Sequence, residues 1–334
     1  MPGNRRTLLG QWLTNALPGD VGALQPASSD ASFRRYWRFI YQDRTLIAVD
    51  APPPQEDSER FARLTRAFRQ AGLNSPEVLA ADHGRGFLVL SDLGTATYLQ
   101  RLTDQNADAL YGDAINALIK LQGGLPAADL PPYDRALLLR ELSLFGDWLL
   151  RALLEIELSP SERAEINRVF ERLVDNALAQ PQVAVHRDYH SRNLMLTEQA
   201  NPGVLDLQDA VVGPLTYDLV SLLKDCYVAW PRDSVLRWVD LYMERARAAG
   251  IEVPREQSRF LGWFDLMGAQ RHLKAAGIFA RLSVRDGKPG YLADLPRTLR
   301  YIEEAGVLYP ELEPLSRMIS RRVWPRLDTL MPRR

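Results

Sequence analysis

The stretch VHRDYHSRN, residues 185–193, decides how this chain is read. It holds two of the four histidines, an aspartate, two arginines and an asparagine. Three chemistries use such a cluster. A metal centre would take His186, Asp188 and His190 from alternate positions of an extended segment, which point the same way. A solvated charged turn would keep His186 as a satisfied structural histidine. A phosphotransfer loop would use the spacing H-R-D-x-x-x-x-N, from His186 to Asn193, with Asp206 one hairpin later. In that chemistry an aspartate accepts a hydroxyl proton while a nearby amide oxygen and a second carboxylate hold magnesium against nucleotide phosphates. The third reading fits best, because His83 and His272 lie in unrelated contexts and complete no metal ligand set.

Working outward, LMLT (194–197) and GVLDL (203–207) flank the turn EQANP and predict a short hairpin directly after the motif. The run VLDLQDAVVGPLTYDLVSL puts Asp206 at the end of an apolar strand and Asp218 at the start of a helix, after a Gly-Pro turn. Only that hairpin is expected to interrupt the helical texture beyond SDLGTAT. Residues 133–158 carry one long helical pattern, and 159–180 another, with Ser159 as cap, Pro160 in the first turn and Glu162 after it.

The first part of the chain has a different texture. Residues 34–50, RRYWRFIYQDRTLIAVD, read as a hairpin broken at Gln42 and Asp43, and EVLAAD and FLVLSDL form a second around HGRG. Between them Phe61, Leu64 and Phe68 recur at helical spacing, ending at Gly72. The prediction is an α+β chain: a small antiparallel-sheet lobe over residues 1–93, which binds nucleotide, and a larger helical lobe over 94–334, which carries catalysis and the acceptor. The cleft between two lobes is the expected place for a ligand.

Composition narrows the classes. The chain has 334 residues, 46% of them hydrophobic, enough for a sizeable core. Net charge is -1, which favours neither nucleic acid nor a membrane surface as partner. Residues 251–334 are nevertheless basic, with 15 Lys plus Arg against 10 Asp plus Glu. No apolar run is long enough to span a bilayer, and the first residues lack a signal-peptide pattern, so a cytoplasmic location is expected; a monomer is the expected state, with no motif that sets it. The single Cys226 reads as a buried structural thiol. There is no G-x-x-x-x-G-K-[ST] loop, and Gly84 and Gly86 read as a turn.

HRDYHSRN together with VLDLQDAVVGPLTYDL resembles the aminoglycoside phosphotransferase and choline kinase-like family, relatives of protein kinases that phosphorylate small-molecule hydroxyls. The resemblance covers nearly the whole chain and implies a bilobal protein-kinase-like fold using ATP and magnesium. Within the family, SSDASFRRYWRF, IAVDAPPP and GAQRHLKAAGIFARLSVRDGKPGYL are similar to a bacterial branch that phosphorylates amino sugars of the cell wall. That branch implies transfer of the γ-phosphate to the anomeric hydroxyl of N-acetylmuramic acid and N-acetylglucosamine. By resemblance Asp188 is the catalytic base, Asn193 and Asp206 are magnesium ligands, and His186 and Asp218 support the loop. Ser29, Asp30 and Ser32 stand where a glycine-rich loop would cover the phosphates. Ala48, Asp92 and Leu93 are expected around the nucleotide base.

One position departs from the pattern. Kinase-like folds end the third strand on a lysine that holds the α- and β-phosphates, but IAVD places Asp50 there. Either Asp50 turns away or an arginine supplies the positive charge. Arg35 is the expected substitute, with Arg34 and Arg38 as rivals, unless all three decorate a strand face; Glu59 is either its acidic partner or a solvated first-turn acid. For the acceptor, a basic tail suits a neutral or carboxylate-bearing sugar better than a polycation. Arg271, Lys274 and Arg281 share helical spacing and form the expected acceptor site with His190; the bland alternative is an exposed basic helix face. A chain lacking the strand lysine also fits a binding module without chemistry.

Overall fold

The computed structural model describes residues 2–29, 33–126 and 130–331. Helix α1 (Pro2–Ala16) precedes strands β1 (Gln25–Ser29), β2 (Arg35–Tyr41) and β3 (Arg44–Asp50). Helix α2 (Ser58–Gln70), strands β4 (Val78–Asp82) and β5 (Phe87–Ser91) and the single turn α3 (Tyr98–Arg101) follow. Next come α4 (Ala107–Gly124), α5 (Arg135–Leu144), which runs on as a π-helical stretch to Leu153, α6 (Pro160–Leu178) and β6 (Gln182–Val185). The hairpin β7 (Leu194–Met195) and β8 (Gly203–Val204), strand β9 (Val211–Pro214) and helices α7 (Tyr217–Leu223), α8 (Arg232–Ala248), α9 (Gln257–Val284) and α10 (Leu295–Leu308) lead to short C-terminal helical segments.

The chain forms two compact units. The first comprises Met1–Leu102 and Arg192–Asp209. Its five-stranded sheet has the order β1-β2-β3-β5-β4 and is antiparallel throughout. The predicted break at Gln42 and Asp43 is a two-residue turn with both residues at positive φ, 49° and 59°, which matches the twist of the strands it joins. Helix α2 begins at Asp57, whose carboxylate accepts the Arg60 N–H at 2.8 Å, and buries the predicted Phe61, Leu64 and Phe68.

Successive residues of a strand face opposite ways, and here each face has its own helix. Trp37, Phe39, Leu46, Ala48, Phe87 and Val89 pack with Leu9, Trp12 and Leu13 of α1. Val49, Ala51, Leu88 and Leu90 pack with Phe61 of α2, joined by Tyr36 and Ile47. The predicted hairpin β7–β8 belongs to this unit by its backbone bonds: Val204 N–H donates to the Asn74 carbonyl and Leu196 N–H to that of Ala96, each at 2.8 Å. The unit thus runs past residue 93 and takes in 192–209 as well.

The second unit comprises Thr103–Ser191 and Ala210–Arg334. Its central element is α9, which packs against α5, α6, α7, α10 and the π-helical stretch. A Cβ at Gly277 would lie 2.4 Å from the Leu144 carbonyl carbon, so glycine permits the close approach of α9 to the end of α5. The capping box at Ser159 and Glu162 forms as the sequence predicts. A second interruption of the helices was not predicted: β6 pairs antiparallel with β9, Val185 opposite Val211. Runs of four residues are too short to show a strand period, and the β-branched Val183, Val185, Val211 and Val212 were their only mark.

Candidate active site

In the second unit, β6 leads directly into the motif and β9 leads to α7, so the pairing of the two strands brings Asp218 to the start of the loop. The Asp218 carboxylate accepts the N–H of His186 at 2.6 Å and of Arg187 at 3.0 Å. Arg187 sits at φ 77°, a left-handed conformation that costs a non-glycine residue about 1–3 kcal/mol and persists only where its surroundings hold it. Here Asp218 holds its backbone and Glu141 of α5 its side chain, while the guanidinium lies 5.5 Å from the Tyr133 ring centroid. The His186 Nδ1 accepts the Asp188 N–H at 3.2 Å, inside the loop itself. Ser191 N–H donates to Asp225 at 2.9 Å, fixing the far side.

Basic side chains surround Asp188. Burial pushes its carboxyl upward, but Lys274, His190, His186 and Arg271 outweigh that and hold it below the usual carboxylate range. Lys274 Nζ donates to Tyr217 OH at 2.9 Å and lies 3.0 Å from Glu141, so it is anchored within the unit. Arg271 is buried against Cys226, whose sulfur is 3.6 Å from its Nη1, and its Nε has no hydrogen-bond partner among the described residues. The buried His190 likewise has an unpartnered Nδ1, and Tyr227 meets its ring edge-on at 5.3 Å. Arg281 lies further along α9, half-buried, with an unpartnered Nε. The expected trio of Arg271, Lys274 and Arg281 on α9 therefore does not form an exposed face: Arg271 and Lys274 are buried beside Asp188.

Asp218 is buried at the start of the loop. Burial raises its carboxyl to about 6, against the opposing pull of His186 and the two N–H bonds. It is ionised above that pH and takes a proton as pH falls through about 6, losing acceptor capacity at one N–H of the loop. The raised value also means that ionisation opposes folding: its stabilising share is whole below the unfolded value of 3.8 and lost as pH rises through about 6. Turnover of the wild type is expected to fall below about pH 6, and Asp218→Asn, which cannot ionise, should flatten that limb at a lower plateau. A kcat–pH profile checks this; an unchanged limb in the variant would assign it to another group.

In the first unit the hairpin brings Asn193 and Asp206 to its base, where Leu205 N–H donates to the Asn193 carbonyl at 2.9 Å. Asp206 is at φ 65° and its Oδ1 accepts Gln208 Nε2 at 2.6 Å, with Arg34 Nη2 at 3.3 Å. An amide and a carboxylate are hard oxygen donors of the kind magnesium takes, one or two from protein and the rest from phosphates and water. Arg38 binds Asp92 through two bonds of 2.5 and 2.9 Å, and also the Gly94 carbonyl at 2.8 Å. Burial pushes the Asp92 carboxyl up, and Arg38 with the Gly94 N–H reverses this to leave it low. Leu93 packs on Gly203, where a Cβ would come within 3.0 Å of its Cδ1.

Strand parity and burial set where the expected residues lie. Asp50 and Ala48 point to the α1 face, where Arg5 Nε donates to Asp50 at 2.8 Å and Ala48 is fully enclosed. Ala48 thus lies on the α1 side, and Ile47 and Val49 hold the α2 side. Arg35 shares Asp50's parity and is exposed, whereas Arg34 is buried on the α2 face. Glu59 is exposed, and Glu56 is the acid near Arg34, 3.6 Å from its Nε. Ser29 closes β1, and Asp30 and Ser32 lie outside the described residues. Among the described residues no three His, Cys, Asp or Glu side chains gather as a metal site, so His186, Asp188 and His190 do not form the metal centre weighed above.

Sequence reasoning missed Glu141, Asp225, Glu56 and Arg5. Glu141 had a signal, an acid within the apolar stripe Leu138, Leu142 and Phe145; the other three had none.

A sequence profile described as the phosphotransferase enzyme family matches residues 23–256. The chain belongs to this family. Its curated relatives within the phosphotransferase family include a protein of Pseudomonas aeruginosa named N-acetylmuramate/N-acetylglucosamine kinase, 49% identical over 319 residues, 92% of this chain and 94% of the relative. A protein of the same name from Neisseria meningitidis serogroup B is 43% identical, over 93% of this chain and 94% of the relative. Choline kinase LicA from Streptococcus pneumoniae is similar in structure, with a TM-score of 0.63 at 11% identity, covering 91% of this chain and 99% of that one. The ADP-bound aminoglycoside phosphotransferase APH(2'')-Ib has a TM-score of 0.57 at 16% identity, covering 88% and 97%. At such identities the likeness to phosphotransferases of known structure is one of fold.

Proposed function

We propose that the chain is an ATP-dependent kinase that transfers the γ-phosphoryl group to the anomeric hydroxyl of N-acetylmuramic acid and N-acetylglucosamine, returning cell-wall sugars to use. The observation that carries the reading is the ionised Asp188 carboxylate on a loop pinned by Asp218, with Lys274, Arg271 and His190 about it. The relatives named for this activity, 49% and 43% identical, support the choice of sugar. In the proposed step Asp188 accepts the proton of the sugar hydroxyl as its oxygen bonds to the γ-phosphorus. The bond from that phosphorus to the β,γ-bridging oxygen breaks, and ADP leaves. Asn193 and Asp206 would hold magnesium, which neutralises phosphate charge when bound. Positioning and electrostatics account for the rate. No helix among the described residues is long and apolar enough to cross a membrane, and we assign the reaction to the cytoplasm, where ATP is supplied.

A panel of amino sugars, with ADP release as readout, tests the activity, and phosphorus NMR of the product tests the hydroxyl. A sugar 1-phosphate is the expected product. Binding of ATP and sugar without ADP release would leave a binding module in its place.

The acceptor assignment has its own test. N-acetylmuramate carries a lactyl carboxylate that N-acetylglucosamine lacks, and the buried Arg271 has an unpartnered Nε beside His190 and Asp188. A charge-assisted bond of this type is worth about 1.5–3 kcal/mol, or roughly 10- to 100-fold. Arg271→Gln is expected to lower kcat/KM for the muramic substrate by about that factor more than for the glucosamine. Equal losses on both sugars remove carboxylate recognition from Arg271.

A further inference from the structure

We infer that Arg34, at the foot of β2, is the cation that receives the nucleotide phosphates, so that the charge usually carried by β3 has moved one strand over. The inference rests on the ATP-dependent reading above and names the residue that makes it workable without a strand lysine. It begins with parity. On the α2 face, β3 presents Ile47 and Val49, neither of which carries charge, while its terminal Asp50 faces α1 and is neutralised there by Arg5. A lysine at position 50 would have pointed away from Asp206. The α2 face is reached from β2 by Arg34, Tyr36 and Arg38, the residues that share Val49's side through the Tyr36–Val49 pairing.

Of these two arginines, Arg38 is committed to Asp92 by short, two-pronged bonds and to a backbone carbonyl. Arg34 is held differently. It is buried, 8% exposed, yet lines a cavity of about 160 Å³ with Val49, Ala51, Glu56, Gln208 and Asp209. It ion-pairs with Asp206 at 3.3 Å and with Glu56 at 3.6 Å. A fork of five donors beside the residue that would hold magnesium matches phosphate oxygens bidentately, which a lysine does not. Glu56, at the entry to α2, then does for Arg34 what the helix glutamate of kinases does for the strand lysine: it keeps the cation extended when no nucleotide is bound. With Arg34 engaged by phosphate, Asp206 would be left to hold magnesium.

The test compares ATP with adenosine, because adenosine lacks the phosphates. In Arg34→Gln the dissociation constant for ATP with magnesium should rise about 10- to 100-fold, while that for adenosine and the melting temperature hold near wild type. Arg34→Lys should recover part of the loss. Restoring charge on the same face through β3, in the double variant Arg34→Gln/Val49→Lys, should also recover ATP affinity, whereas Arg34→Gln/Asp50→Lys should not. Equal loss of ATP and adenosine, unchanged ATP affinity, or a loss that follows Arg35→Ala instead would overturn the assignment. Absence of ADP release by the wild-type protein with every sugar would sink the kinase reading, and the binding comparison would still decide Arg34.

Discussion

Asp188→Asn is expected to lower kcat by about 10²- to 10⁴-fold, the range for removal of a positioned general base, while ATP and sugar binding change little. The asparagine keeps the volume and one oxygen, so the loop stays pinned through Asp218. What disappears is the anionic oxygen that Lys274, His190, His186 and Arg271 hold ionised. Because the carboxyl already sits below the usual range, its protonation does not limit the wild type near neutrality. The acid limb belongs to Asp218 by that argument. Single-turnover kinetics with saturating substrates separate the chemical step from product release. A variant that turns over within tenfold of wild type would show that Asp188 is not the base.

Glu141→Gln is expected to be the most damaging single change to stability outside the apolar core. Glu141 is 5% exposed and gathers the Tyr133 hydroxyl, the Arg187 guanidinium and the Lys274 ammonium. Burial pushes its carboxyl up, and Lys274 with Arg187 overcomes that and holds it low. Neutralising it leaves two buried cations without their counter-charge, which costs about 3–5 kcal/mol and lowers the melting temperature by on the order of 10 °C. The sign with pH follows from the lowered value. Glu141's contribution is whole above its unfolded value of 4.5 and is lost as pH falls through the folded one, so the melting gap between wild type and variant closes in acid. A gap under about 2 °C at neutral pH would mean that the cluster contributes little.

How much of this was legible in the sequence depended on range. The hairpins at 34–50 and 194–207, helix α2 and the capped helix at 160 were visible because each is written in neighbouring residues: a turn pair, a 3.6-residue repeat, a cap followed by proline. Asp188, Asn193 and Asp206 were visible because a motif spaces them along one loop and one hairpin. What stayed hidden depends on which way a strand faces. IAVD reads the same whether Asp50 or Val49 lies beside α2, and only the enclosure of Ala48 by α1 settles it. For the same reason Arg35 drew attention that the neighbouring Arg34 merited. Glu141 shows the other blind spot: its partners lie 46 residues away at Arg187 and across α9 at Lys274. No local period records such a meeting.

The first unit is written in two instalments, and this orders its assembly during synthesis. When Leu102 leaves the ribosome, the carbonyls of Asn74 and Ala96 and the Tyr98 hydroxyl still await Val204, Leu196 and Asn201. Those partners emerge only after nearly the whole of the intervening helical segment has been made. These groups therefore wait for their partners for as long as it takes to polymerise that segment, several seconds at about 5–20 residues per second. Slowing translation between codons 103 and 191 lengthens the exposure, and a nascent-chain chaperone has its longest opportunity there.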